Sequence, residues 1–169
     1  MDAAHFVMGV FLTCLWSIQR IFVKSSAGRK RYNVLGAVDA ITKHIHTFTN
    51  NSYINSHSVS DFLEQLRNYY NDGKKIYLVL DNARYQKCQL VQYVAWQFKI
   101  QLLYLPPYSP NLNIIERLWK WVKKEVLYAK YYEKFEDFKE AIDKAIITAN
   151  TEKKDKIKKL LNLKFQLFK

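Results

Sequence analysis

Two short apolar runs limit the folds open to this chain: IYLVL at Ile76–Leu80 and IQLLYL at Ile100–Leu105. The first run shows no alternation, which is typical of a strand covered on both faces in a largely parallel sheet. Between the runs, Cys88–Phe98 has apolar residues at helical spacing, and those expected to face inward are Leu90, Val91, Val94, Ala95 and Phe98. Parallel strands need such a crossover connection. We therefore expect a βαβ unit within an α/β fold, a mixed sheet flanked by helices.

Other stretches predict elements of both kinds. Asp2–Ser17 reads as a short extended piece or loop that leads into an irregular apolar segment, and the stretch Gln19–Tyr32 that follows is basic and contains no acid. Tyr32–Ile41 and His44–Thr49 read as two strands joined by a tight turn. A helix is expected over Asn55–Tyr70, with a capping box at Ser58 and Asp61. Apolar stripes beginning at Leu112 and at Phe135 predict two more helices, and a basic helical tail follows.

Three acidic or imidazole side chains in this strand pair are expected to be structural. Asp39 lies within the first predicted strand. His44 and His46 fall on one face of the second strand, and no further zinc ligand lies near them in sequence. We therefore predict no zinc site here.

The formal net charge of +12 on 169 residues indicates a polyanionic partner, either nucleic acid or an anionic membrane surface. A basic surface that serves only solubility, or a ribosomal protein, would carry the same signal. Two cysteines without a CxxC pair predict a reduced, cytoplasmic chain. The apolar run Phe6–Leu15 is too short to span a bilayer, so we expect no membrane association.

Two carboxylates follow the apolar runs. Asp81 comes directly after the first strand, at the strand end where ligands of open α/β sheets collect. Glu116 lies in the helix after the second strand. The pair suits general acid–base chemistry or, with a basic surface, Mg²⁺ ligation, for which Asp2 is the candidate third carboxylate. Alternatively, Asp81 caps a loop and Glu116 pairs with Lys120.

Three segments now point to a family: GRKRYNVLGAVDA, LDNARYQKC and LPPYSPNLNIIERLWKWVKKE. They resemble the catalytic domain of bacterial insertion-sequence transposases of the mariner-like class, in the DDE superfamily with a ribonuclease H-like fold. The 34 residues between Asp81 and Glu116 match the family's interval, and the opening DAAHF matches its first-acid segment. The resemblance covers essentially the whole chain, as a catalytic domain over residues 1–150 and a tail over 151–169.

The resemblance implies that Asp2, Asp81 and Glu116 bind two Mg²⁺ or Mn²⁺ ions. It implies DNA cleavage at transposon ends, followed by strand transfer into target DNA by a homodimer or larger complex. Asn82 is expected to steady the metal site or a substrate phosphate. Asn111 and Asn113 are expected to shape the turn and cap the following helix. Further residues are candidates for DNA phosphate contacts: Arg29, Lys30, Arg31, Arg84, Arg117, Lys120 and Lys123.

The sequence also departs from the family pattern. No helix-turn-helix region precedes the catalytic segments, and only Met1 precedes Asp2, so the first strand is expected to be largely missing. An upstream-encoded helix-turn-helix half is one explanation. The alternative function is a truncated, inactive remnant that binds DNA or another transposase. A host ribonuclease H-like nuclease is a further alternative, which the SPNLN segment disfavours.

Overall fold

The computed structural model describes residues 1–9, 18, 29–107, 109–128 and 130–165. This part of the chain forms five strands and five α-helices, with short 3₁₀ helices at Arg84–Gln86 and Pro110–Leu112. In chain order the elements are β1 (Asp2–Val7), β2 (Arg31–Val38), β3 (Ile45–Asn50), α1 (Ser56–Tyr69), β4 (Ile76–Leu80), α2 (Gln89–Gln97), β5 (Ile100–Tyr104), α3 (Ile115–Leu127), α4 (Phe135–Asn150) and α5 (Lys154–Leu160).

The strands form two ladders. β2 lies between β1 and β3 and is antiparallel to both, with Asp2 opposite Gly36. β4 and β5 are parallel, with Ile76 opposite Ile100, as the βαβ prediction requires. The Met1 α-ammonium donates a hydrogen bond to the Val79 carbonyl oxygen at 2.5 Å, which places the start of β1 beside β4. The expected mixed α/β architecture is confirmed.

The strand that carries Asp2 is better formed than the sequence suggested. We expected a short extended piece and a largely missing first strand, but residues 2–7 make six pairs with β2. The cause is a period of two, because Ala4 and Phe6 are buried while His5 and Val7 are exposed. The predicted irregular segment up to Ser17 lies outside the described residues, as does most of the basic stretch that follows it.

Helices cover both faces of the three-stranded sheet. On one face, β1 and β2 pack with α3, α4 and α5 around Phe6, Val34, Leu118, Phe138 and Ile142. On the other face, β2 joins α1, α2, β4 and β5 in a second core. In α5, which belongs to the predicted tail, Ile157 is buried in the first core. Within the described residues, no helix is long and apolar enough to cross a bilayer.

Two local predictions were wrong. The α1 N-cap is Asn55, whose side chain accepts from the Ser58 N–H at 3.0 Å, so the cap lies three residues before the predicted one. Strand β4 is not covered on both faces, because Leu78 and Leu80 are buried while Tyr77 and Val79 are 64% and 43% exposed. An apolar run shows that a strand is buried, but it does not show on how many faces.

Gly36 allows α3 to approach the middle strand closely. A Cβ atom on this residue would lie 2.7 and 2.8 Å from two ring carbons of Trp119, and 3.0 Å from Cδ1 of Ile115. Separations below 3.0 Å require the surrounding atoms to move. Glycine within a strand often marks such a close approach. The indole of Trp119 therefore lies over β2, at the position that pairs with Asp2.

We expect Gly36→Ala to lower the free energy of unfolding by about 1–3 kcal/mol, because a methyl group overpacks this contact. Urea denaturation measures the change. Gly9→Ala is the matched control, since a Cβ there meets no atom within 4 Å. Equal unfolding free energies for the two variants would contradict the assigned close approach.

A partly buried polar network closes the β2–β3 hairpin. The Asp39 carboxylate accepts from the backbone N–H groups of Ile41 and Thr42 and from the Tyr70 hydroxyl. Because Tyr70 donates to Asp39, its oxygen accepts from Nε2 of His46 at 2.9 Å. Asp39 and His46 are therefore structural, as predicted. Burial, with some help from the charge of His44, lowers the pKa of His46 to about 4.

The depressed pKa of His46 has a consequence for stability. The unfolded chain binds this proton near pH 6.5 and the folded chain only near pH 4. Stability present above pH 6.5 is therefore lost as the pH falls toward 4. We expect His46→Gln, which keeps a donor to Tyr70, to lose less stability across that window in urea titrations. The exposed His57→Gln is the control, and a decline equal to that of the wild type would rule out the linkage.

Candidate active site

Asp2 and Asp81 reach the same side of the sheet. Along β1, Asp2 alternates in phase with Ala4 and Phe6, which face the core formed with α3. Along β4, Leu80 faces the other core, so the next residue, Asp81, points back toward α3. The Met1–Val79 hydrogen bond aligns the two strands at this level. The side chains of Asp2 and Asp81 therefore extend from neighbouring strands toward α3.

Glu116 comes from that helix, in the first turn of α3. The contact of Ile115 and Trp119 with Gly36 fixes the height of this turn above the sheet. Glu116 is half-buried and lies on the flank of the buried stripe that includes Ile115 and Leu118. The α3–sheet contact thus sets how far Glu116 stands from the strand carboxylates.

The pKa values record the closeness of the three acids. Burial raises the pKa of Asp2, and the charge of Asp81 raises it further. Burial also raises the pKa of Glu116, followed by the charge of Asp2 and, more weakly, that of Asp81; Lys120 and Lys123 act in the opposite direction. Mutual repulsion between carboxylates in one place is the condition that a bound cation relieves.

A cleft of about 250 Å³ opens where these elements meet. Asp81 and Glu116 line it together with Asn82, Asn113 and the Pro106–Pro107 turn. The polar side chains that line the cleft carry carboxylate, amide or hydroxyl oxygens. Oxygen is the ligand atom that a hard divalent cation prefers. Within the described residues, no three His, Cys, Asp or Glu side chains stand close enough together to hold one ion. The cleft therefore presents two carboxylates, with Asp2 adjacent.

Asn113 links the α3 end of the cleft to β1, a role that the sequence analysis missed. Its buried side-chain amide donates to the Met1 carbonyl oxygen at 3.2 Å, in the peptide unit that leads to Asp2. We expected this asparagine only to shape the turn and cap the helix. The N-cap is instead Ile114, and no side chain caps it. Only the position of Asn113, three residues before Glu116, hinted at a contact near the site.

Asn82 braces the strand ends. Its side-chain amide donates to the carbonyl oxygen of Leu105, so it ties the residue after Asp81 to the end of β5. The same side chain lines the cleft. This position is compatible with the predicted supporting role beside the metal site, which stays a prediction.

The predicted DNA-binding residues separate into groups. Lys120 and Lys123 stand beside Glu116, where their charges act on its pKa. Arg84 is exposed just after Asp81. The run Arg29–Arg31 is exposed, but Arg31 pairs with Val7, at the end of β1 opposite Asp2 and about 16 Å from it at strand spacing. These phosphate contacts stay predictions.

Arg117 is already engaged within the fold. Its guanidinium donates to the backbone carbonyls of Asn162 and Lys164 at 2.8 Å each, and it stacks over Phe165 at 5.8 Å. The side chain therefore fastens the segment after α5 to α3. A phosphate contact by Arg117 would compete with these bonds.

Known proteins resemble this chain in sequence. A sequence-family profile described as DDE superfamily endonuclease matches residues 19–139, which include Asp81 and Glu116; Asp2 lies before the matched range. The chain belongs to the DDE superfamily endonuclease family. An uncharacterized protein of Sinorhizobium fredii, y4pE/y4sA, is 25% identical over 85 residues, or 50% of this chain and 61% of that protein.

Solved structures share the fold of this DDE chain. The Mos1 transposase paired-end complex matches with a TM-score of 0.63 at 14% identity, covering 98% of this chain and 55% of that chain. The catalytic core of BIV integrase matches with a TM-score of 0.53 at 17% identity, covering 73% and 77%. These neighbours are ribonuclease H-like catalytic cores, so the predicted fold is confirmed. The chain spans about half the length of the full Mos1 protein.

Asn113→Ala tests how far the α3–β1 link positions the site. We expect a loss of about 1–2 kcal/mol in unfolding free energy, because the Met1 carbonyl loses a buried donor. We also expect Mn²⁺ affinity, measured by calorimetry, to fall by about tenfold or more. Asn68→Ala, on the exposed face of α1, is the control. Unchanged Mn²⁺ affinity in a destabilised variant would show that the contact does not position Asp2.

Proposed function

We propose that this chain is the catalytic portion of a DNA transposase, which cleaves phosphodiester bonds at the ends of a mobile element and joins them to target DNA. The observation that carries the proposal is the meeting of Asp81 and Glu116 in one cleft, beside Asp2, in a chain of the DDE family. Metal use, DNA binding and assembly are proposed for this chain, since it covers only part of its longer relatives.

Divalent cations fit the cleft by the chemistry of its donors. Asp2, Asp81 and Glu116 would hold two Mg²⁺ or Mn²⁺ ions, and the raised pKa values of Asp2 and Glu116 reflect burial and carboxylate repulsion that a bound cation would relieve. When bound, such ions activate an attacking oxygen and stabilise the leaving oxygen in phosphodiester chemistry. Structures of the Mos1 protein with Mn and with Mg are among the fold neighbours.

The chain's own residues supply the surroundings of the reacting phosphate. Lys120 and Lys123 offer positive charge beside Glu116, where a scissile phosphate would enter. The Asn82 bond to the Leu105 carbonyl keeps the ends of β4 and β5 together, so that Asp81 stays at the cleft. Asn113 holds β1 against the start of α3. These contacts fix the carboxylates before substrate arrives.

DNA is the proposed partner, in agreement with the net charge of +12. Mos1 is found in paired-end and strand-transfer complexes among the solved structures that share this fold. We propose that this chain likewise works as a homodimer or larger complex on DNA, in the cytoplasm, together with a helix-turn-helix half encoded upstream. The alternative is a truncated, inactive remnant that binds DNA or another transposase without cleaving DNA.

The test is metal-dependent nicking of supercoiled DNA carrying the element ends. We expect the wild type to nick with Mn²⁺, and we expect Asp81→Asn and Glu116→Gln to reduce the rate by at least about a hundredfold while still binding DNA. Asp61→Asn, at an exposed acid of α1, is the matched control and should retain activity.

Two outcomes would contradict the assignment. Nicking that survives in both site variants would place the chemistry elsewhere. DNA binding by a folded wild type without nicking at any Mn²⁺ concentration would favour the remnant.

A further inference from the structure

Helix α2 presents two aromatic side chains to solvent. Tyr93 is 61% exposed and Trp96 is 76% exposed, and their ring centroids lie 6.2 Å apart at an angle of 35°. They stand one helical turn apart, on the side of α2 away from the buried Val91 and Ala95. These two rings do not contribute to the core. Exposed apolar patches on a protein surface mark interaction sites, so we ask what this pair binds.

A groove lies next to this pair, along the edge of β5 that pairs with no described strand. It has a volume of about 650 Å³ and is bordered by Trp96, Lys75, Lys99, Gln101 and Tyr104. None of the described residues lining it is acidic. The ammonium of Lys75 lies 5.5 Å from the ring centre of the exposed Tyr77. Two aromatic rings and two lysines thus border one concave surface, which we call the α2–β5 groove.

The local charge is one-sided. From Asn82 to Ile115 the chain contains no aspartate or glutamate, although the whole sequence has 15 such residues. The same interval carries Arg84, Lys87 and Lys99, and Lys74–Lys75 stand just before β4. Asp72, the acid that precedes Lys74–Lys75 in sequence, is paired with Arg67 and Lys74. A second copy of the chain would bring like charge to this surface, whereas a polyanion would be attracted.

We propose that the α2–β5 groove binds single-stranded DNA, with unpaired bases stacked on Tyr93 and Trp96 and phosphates held by Lys75 and Lys99. The chemistry selects the single strand, because an aromatic ring stacks only on a base whose face is free, and duplex bases cover one another. The proposal rests on the proposed function in one respect, that DNA is the chain's substrate.

Strand β5 connects the groove to the cleft. Strand β5 runs from Ile100, in the groove, to Tyr104, whose next residue Leu105 lines the cleft. That distance is about 13 Å at strand spacing, which a few nucleotides of a single strand can span. Lys87 lies over the Tyr104 ring at 5.2 Å and adds charge at the end of the groove nearest the cleft. A strand unpaired at the cleft would therefore meet the groove as it leaves.

Binding of a labelled twelve-nucleotide oligo(dT), in buffer with EDTA so that no cleavage occurs, tests the proposal. We expect Trp96→Ala to weaken binding by about tenfold, the effect of losing one stacked base, and Trp96→Phe to restore most of the affinity. Lys99→Ala should reduce the salt dependence of log K by about 0.7, the contribution of one phosphate on a single strand.

Matched controls come from exposed residues elsewhere. Tyr53→Ala and Lys144→Ala remove a tyrosine and a lysine of similar exposure outside the groove, and both should leave binding within about twofold of the wild type. The affinity for a duplex of the same length should fall by less than about threefold in Trp96→Ala, because a duplex offers no free base face.

Three results would overturn the proposal. The first is unchanged oligo(dT) affinity in Trp96→Ala, and the second is an equal loss for the duplex. The third is a shift in sedimentation without a change in DNA affinity, which would make the groove an interface between copies. Binding is measured without metal, so weaker binding by Trp96→Ala supports the groove whether or not the wild type nicks DNA with Mn²⁺.

Discussion

The contact between α3 and the middle strand of the sheet governs the geometry of the candidate site. Gly36 leaves no Cβ, so the Trp119 ring and Ile115 rest directly on β2 opposite Asp2. Glu116 lies one residue after Ile115, so the depth of this packing sets its distance from the strand carboxylates. Asn113 adds a polar link from the same turn to the peptide before Asp2. A close apolar contact and a single buried amide together hold a helix carboxylate against a strand carboxylate.

Charge is distributed unevenly around that contact. The three acids gather at one edge, where burial and mutual repulsion raise the pKa values of Asp2 and Glu116, and lysines on the next turns of α3 partly offset the repulsion. The surface along α2 and β5 has the opposite character, with lysines and exposed rings and no acid over 34 residues of sequence. A negatively charged cleft that needs cations, beside a positively charged groove, is an arrangement suited to a polyanion that enters with metal ions.

Sequence patterns predicted the type of each element better than they predicted which of its faces are buried. The βαβ unit, the β2–β3 hairpin and the helices that follow were all confirmed, because their periodicities arise from local geometry. Coverage of β4 on both faces was wrong, and so was an inward-facing Leu90, which is 38% exposed. The N-cap of α1 is Asn55 and not the predicted Ser58. The backbone conformation of Asn55, and not the spacing of the motif, decides where the first turn begins. The three carboxylates were chosen from sequence, and the structure brings them near one another, while their catalytic roles stay predictions.

The amino-acid sequence alone determined the order of strands and helices, the basic character of the chain and the 34-residue interval between Asp81 and Glu116, since these depend on local periodicity, composition and spacing. Only the tertiary structure decided that Asp2 faces α3, that Asn113 bonds to β1 rather than capping a helix, and that Arg117 holds the C-terminal segment. Each of these depends on which residues distant in sequence become neighbours. The same holds for the exposed face of β4 and the α2–β5 groove, because burial is a property of the packed chain and not of an apolar run.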